Sequence, residues 1–134
     1  MSTLADRVIW ITGATGALGN ALAHALHAQG AHVVLSSRRI DDAEPAESDR
    51  WSPLALDVTH GADVEAAARR IVATQGRIDG VVCLTTLPLF GDFLSLDDAA
   101  WRQVLDTKLL GSVRVVRAAP VSYTHLTLPT SDLV

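Results

Sequence analysis

Thr12-Gly13-Ala14-Thr15-Gly16-Ala17-Leu18-Gly19 sets glycines three apart between an apolar run and a helical pattern. The chemistry that such a turn suits is the binding of a diphosphate, whose double negative charge needs backbone N–H donors and the positive end of a helix dipole. Gly13 allows the tight turn, Gly16 removes a Cβ where phosphates would approach, and Gly19 lets helix pack close to strand. Glycines elsewhere would mark only a turn, but these stand at the first strand-to-helix junction, where an open α/β sheet has its ligand crevice. No Gly-Lys-Ser/Thr ending follows, which separates the loop from that of a nucleotide triphosphatase.

A second group closes the next apolar run: Ser36-Ser37-Arg38-Arg39. An acid at that point would accept hydrogen bonds from an adenosine ribose and repel a 2′-phosphate, whereas a base would pair with the phosphate. Ser37 stands where the acid would be, and Arg38 offers a charge-assisted fork with Ser37 as a second donor. The plainer alternative is two arginines solvating the start of a loop. His24, His27 and His32 cluster in sequence, but no acid or thiol follows at metal-ligand spacing, so surface histidines are expected and a metal site is not.

These groups must be held by the elements around them. Arg7–Thr12 (RVIWIT) reads as a buried strand, followed by a helix with Leu18, Leu22 and Leu26 at spacing four and Gly30 as its stop. His32–Ser36 is a second strand, and Arg39–Ser52 a polar stretch that is a loop or holds a short helix. Leu54–Val58 is the third strand. Thr59 is positioned to cap a helix whose apolar face is Val64, Ala67, Ala68, Ile71 and Val72, with Asp63 and Glu65 at its positive end and Gly76 closing it. Ile78–Leu84 is a fourth strand. Ser95 and Asp98 form a capping box before a helix that aligns Trp101, Leu105, Leu109 and Val116. Nearly all-apolar strands alternating with helices predict a parallel sheet covered on both faces. The fold class is α/β.

The 134 residues allow one domain at most, and 49% hydrophobic with 19% charged residues places the chain among globular proteins. A net charge of -4 argues against a nucleic-acid footprint. No run approaches the ~18 apolar residues of a membrane span, and no signal-peptide pattern precedes Val8. Cys83 is the sole cysteine, so no internal disulfide forms and a reducing, cytoplasmic setting is expected.

With these residues in place the sequence resembles the short-chain dehydrogenase/reductase family over about residues 5 to 120. TGATGALG has the T-G-x-x-G-x-x-G spacing of the family's extended members, while the segments downstream look more like its shorter members. The resemblance implies a Rossmann-type doubly wound parallel sheet of order 3-2-1-4, stopping after about four strands. It implies a nicotinamide dinucleotide on Gly13, Thr15, Gly16, Ala17, Leu18 and Gly19, with Ser37 and Arg38 favouring NADP over NAD. Asp57-Val58 resembles a family pair whose acid contacts the adenine amino group, though Asp57 could equally cap the following helix. The complete parent would move hydride between the nicotinamide and a carbonyl or alcohol on a small-molecule substrate, with no nucleic acid or membrane as partner, and the Trp101 helix resembles one that pairs between subunits of a homo-oligomer.

The resemblance also breaks. Cys83-Leu84-Thr85-Thr86 stands where the family shows Asn-Asn-Ala-Gly, leaving Thr85 and Thr86 to bond cofactor or backbone. Lys108, in Trp101–Gly111, replaces an Asn that supports a water relay; an ammonium only donates, so Lys108 is read as a solvated or structural lysine. The catalytic Ser and Tyr-x-x-x-Lys belong beyond residue 120, and Tyr123 is followed four positions on by Thr127 rather than lysine. Val121–Thr130 (VSYTHLTLPT) has no helix period and closely resembles a translated sequencing adapter. The expectation is therefore a dinucleotide-binding portion over residues 1–120, a non-native tail over 121–134 and a missing catalytic part. The rival readings are a non-catalytic NAD(P)-sensing domain and, disfavoured by Ser37-Arg38, a methyltransferase.

Overall fold

The computed structural model describes residues 3–40 and 48–119. Its elements run β1 (Val8–Thr12), α1 (Ala17–Ala28), β2 (His32–Ser36), β3 (Trp51–Pro53), α2 (Gly61–Gln75), β4 (Gly80–Cys83), α3 (Asp98–Val104), a π-helical stretch Leu105–Leu110 and α4 (Gly111–Ala118). The strands form one parallel sheet of order β3-β2-β1-β4, the order expected. The tail expected from Val121 onward lies outside the described residues.

The strand sequences explain the two-sided core. Successive side chains point to opposite faces, so Val8, Trp10 and Val34 join Val58, Val64, Ile71 and Val115 on the side of α2 and α4. Ile11, Val33 and Leu35 pack instead with Ala23 of α1 and with Trp51. Both faces of a parallel strand need apolar residues for that reason. Trp10 is fully buried, and its indole N–H donates to Ser36 Oγ at 2.9 Å, which removes the penalty of an orphaned donor.

Several boundaries differ from the sequence reading. The third strand is Trp51–Pro53 rather than Leu54–Val58. Leu54 and Leu56 still donate to the carbonyls of Leu35 and Ser37, and Leu56 and Val58 are buried, so the segment is apolar for packing without forming a regular ladder. Leu18 is 69% exposed, leaving Leu22 and Leu26 as the leucines of α1 that pack on the sheet. Thr59 does not cap α2; the N-cap is His60, while Thr59 turns back to Asp57. The Ser95 box is also displaced. Asp97 is the N-cap of α3 and accepts from the Ala100 amide at 2.9 Å, while Ser95 Oγ donates to the carbonyl of Asp92. Gly30 and Gly76, at φ 92° and 84°, end α1 and α2 as expected.

His24 is exposed as expected, while His27 and His32 are partly buried. His24 stacks on Trp51 with ring centroids 4.8 Å apart, and His27 meets the same ring edge-on at 5.6 Å. His32 is half-buried and bonds Ser52 Oγ at 2.8 Å. Trp101, Leu105, Leu109 and Val116, expected to align on one helix, are interrupted by the π-helical stretch, and each remains more than 40% exposed.

Candidate functional site

A cavity of about 670 Å³ opens at the C-terminal ends of the strands. The glycine turn forms one part of its lining. Gly13 has φ +75°, and a Cβ there would come within 2.5 Å of the Leu84 backbone, so the turn rests directly against the exit of β4. Its N–H and that of Ala14 both donate to the Ser36 carbonyl, at 2.9 and 3.2 Å. Gly13 therefore shapes the turn, and its amide is already committed. Gly19 packs on the turn itself rather than on the strand, since a Cβ would lie 2.5 Å from the Gly13 carbonyl oxygen.

The amides that remain are those of the first turn of α1. Ala17, Leu18 and Gly19 follow the N-cap Gly16, and helix geometry leaves their N–H groups without intrahelical acceptors. No side chain caps this end and no acid stands in its first turn. A Cβ on Gly16 would meet nothing closer than 3.7 Å, so the space beside it belongs to the cavity rather than to protein atoms. An anion is what such a helix end lacks.

β2 supplies the next part of the lining. Ser37 Oγ lies 2.9 Å from Thr15 Oγ1, tying the end of β2 to the glycine turn. Arg38 follows, exposed and lining the cavity, with no ion-pair partner among the described residues. Beyond β3, Asp57 Oδ1 accepts from both the amide and the hydroxyl of Thr59, at 3.0 and 2.7 Å. It stabilises a turn ahead of α2 and is not the helix cap. Burial alone would raise the Asp57 pKa, but the two Thr59 bonds, with His60 and Arg38 nearby, hold the carboxyl below its ordinary value. It is an anionic acceptor facing the cavity at neutral pH.

Of the residues expected from sequence, Gly13, Thr15, Gly16, Ser37, Arg38, Asp57, Val58 and Thr85 line the cavity together. Ala17, Leu18 and Gly19 do not line it, although they carry the free amides of α1. Thr85 Oγ1 is buried without a hydrogen-bond partner, and Thr86 lines the same space. Sequence reasoning missed Gln103, Asp106 and Thr107. Lys108, read from sequence as a solvated or structural lysine, is exposed and absent from the lining. The π-helical stretch adds residues per turn, so the side chains it turns toward the cavity are not those that α-helical spacing would pick out.

These features fit a nicotinamide dinucleotide. An uncapped helix end and the opening beside Gly16 suit its pyrophosphate, Ser37 and Arg38 are donors at the end of β2, Asp57 is an acceptor, and Thr85 has an unused hydroxyl. No residue described here forms a nucleophile, base and orienting acid in sequence, and the hydroxyls of the cavity stand without a lysine among its lining.

A family model described as short chain dehydrogenase matches residues 7–123. Nodulation protein G of Rhizobium sp. (strain N33) is 31% identical over 120 residues, covering 87% of this chain and 49% of that protein. Ligand-free aldohexose dehydrogenase from Thermoplasma acidophilum superposes with a TM-score of 0.81 at 26% identity, over 92% of this chain and 47% of that one. A short-chain dehydrogenase from Streptomyces avermitilis gives 0.79 at 29% identity, over 84% and 43%. The chain spans about half the length of the relatives it matches.

Proposed function

The chain belongs to the short-chain dehydrogenase family, and from that premise we propose that it is the NADP(H)-binding portion of an oxidoreductase acting on a carbonyl or alcohol. The observation that carries the reading is the placement of Ser37 and Arg38 on the same cavity as the uncapped α1 terminus and Gly16. The α1 amides hold the pyrophosphate, Arg38 pairs with the 2′-phosphate with Ser37 as a second donor, and Asp57 accepts from the adenine amino group. Thr85 bonds the nicotinamide half. The bound dinucleotide supplies or accepts hydride at its nicotinamide ring; the residues described here bind and orient it.

A bidentate guanidinium–phosphate contact is worth more than a neutral hydrogen bond, about 1.5–3 kcal/mol against about 1. That difference is what would separate NADPH from NADH at Arg38. Titration of the purified chain with each dinucleotide, followed by calorimetry, tests the assignment. Tighter binding of NADPH is expected, and equal affinities or tighter NADH binding would remove the NADP assignment.

A non-catalytic NAD(P)-sensing domain is the second reading, and one observation favours it: Lys108, at the family's relay position, lies outside the cavity lining. A Tyr-x-x-x-Lys encoded some forty residues beyond Gly111 would favour the enzyme instead. Turnover of NADPH by the 134-residue chain alone would refute the expectation that its catalytic part is missing.

A further inference from the structure

Arg114 stands in α4, remote in sequence from every residue assigned to the dinucleotide. Its side chain is only 19% exposed, and it donates to acceptors on two separate segments. Nη1 reaches the carbonyl of Val58 at 3.0 Å and that of Asp106 at 3.1 Å, while Nη2 meets the Asp106 carboxylate at 2.6 Å. A solvated arginine needs only one carboxylate and gains little from it. Two backbone carbonyls in addition are a structural commitment.

Both partners border the cavity. Val58, with Asp57, follows β3; Asp106, with Thr107, belongs to the π-helical stretch. The Asp106 carbonyl also takes the amide of Gly111, five residues on, which is the bond that makes the turn π rather than α. Turns of this kind are rare and occur mostly where function requires them. A second donor on the same carbonyl holds this one in place. Gly111 closes the other side: a Cβ there would stand 2.6 Å from Val58 Cγ2, so α4 already touches the Val58 segment and the guanidinium is the polar bond across that contact.

We propose that Arg114 is a positioning residue for the cavity, joining the Asp57–Val58 segment to the Asp106–Thr107 segment so that both are presented to one ligand as a unit. The proposal rests on the dinucleotide reading of the cavity. A planar guanidinium serves three acceptors at fixed angles, whereas an ammonium at the same place serves fewer and without the fork. Lysine should therefore substitute in part, and methionine, which keeps the stem and loses the donors, should not.

The test uses the whole chain unchanged and as Arg114→Lys and Arg114→Met, with circular dichroism to establish that each is folded. Amide hydrogen exchange without ligand reads the junction directly. In Arg114→Met the amides of Thr59 and Gly111 should exchange at least tenfold faster, together, while those of β1 and β2 keep their rates; Arg114→Lys should fall between. Unchanged exchange at either amide, or acceleration spread evenly over the sheet, overturns the proposal. NADPH titration reads the consequence, with affinity about tenfold weaker in the methionine variant and intermediate in the lysine variant. Equal affinity in all three overturns it. Failure of the unchanged chain to bind NADPH would remove the dinucleotide reading instead, and the exchange rates would still decide whether Arg114 joins the two segments.

Discussion

The hydroxyls of Thr15 and Ser37 stand 2.9 Å apart, and through them the glycine turn and the end of β2 form one surface. Arg38 is the next residue along that surface, so its backbone is placed relative to the turn while its exposed guanidinium is left for a ligand. Arg38→Ala should weaken NADPH binding about ten- to a hundredfold, the equivalent of one charge-assisted bond of about 1.5–3 kcal/mol, and leave NADH within a few-fold. Ser37→Asp should act in the opposite sense, repelling a 2′-phosphate and raising the NADH preference. Calorimetric titration of both variants with both dinucleotides checks this, and equal losses for the two ligands would sink the role of Arg38.

Gly16 and Gly19 should separate binding from folding. Alanine at Gly19 places a Cβ 2.5 Å from the Gly13 carbonyl oxygen and 2.9 Å from Ala14 Cα, and both neighbours are backbone. Alanine is the better helix former by about 1 kcal/mol, yet overpacking against backbone costs about 1–3 kcal/mol, so Gly19→Ala should lower the unfolding midpoint. Gly16→Ala meets nothing closer than 3.7 Å and should leave stability nearly unchanged while obstructing the phosphate approach. Denaturant unfolding and NADPH titration of each variant give the two readouts.

The covered parallel sheet was legible because its strands are apolar on both faces, while its order followed from the family resemblance. Strand three shows where that signal stops. Leu56 and Val58 are buried as their type predicts, but burial reports packing, whereas a ladder needs a partner strand in register, and β2 ends at Ser36. Trp51 sits in a polar stretch and still opens the strand, since its pairing with Val33 is a long-range property. At the site, the glycine turn, Ser37 and Arg38 were readable because each adjoins a strand end, and Asp57 because of the Asp-Val pair it forms with Val58. Thr107 and Asp106 were not, because the π-helical stretch that turns them to the cavity has no signature in residue type.

Asp79 is a structural carboxylate that the sequence did not mark. It accepts from the Val8 amide at 2.8 Å and from the Arg77 guanidinium, with a side chain 12% exposed, and so anchors the start of β1 to the segment before β4. Burial opposes its ionisation, but the Val8 bond, Arg77 and Arg7 hold its pKa below the ordinary 3.8. A depressed carboxylate contributes stability that is present above the unfolded-state value and lost as pH falls through the folded one. Asp79→Asn should lose about 1–2 kcal/mol at neutral pH, and the gap from the unchanged chain should narrow near pH ~2.5. Urea unfolding at both values measures it; a gap independent of pH would mean that the charge contributes nothing.

His32 sets the opposite end of the acid response. Burial lowers its pKa from the ordinary 6.5, with Arg50 and His27 adding to the effect and Asp49 only partly opposing it. Well above pH 6.5 the ring is neutral in both folded and unfolded chains, and the group adds no pH dependence. Below that value the unfolded chain takes the proton first, so stability should fall as pH drops through 6.5 and level off only once the folded-state pKa is passed. His32→Gln removes the titration and retains a polar group beside Ser52, whose Oγ lies 2.8 Å from the imidazole Nε2. Thermal unfolding between about pH 7.5 and pH 5 should show a steeper decline in the unchanged chain than in the variant. Parallel declines would place the acid sensitivity elsewhere, because a neutral, half-buried imidazole held by one serine is the only state of His32 that the loss of a proton can favour.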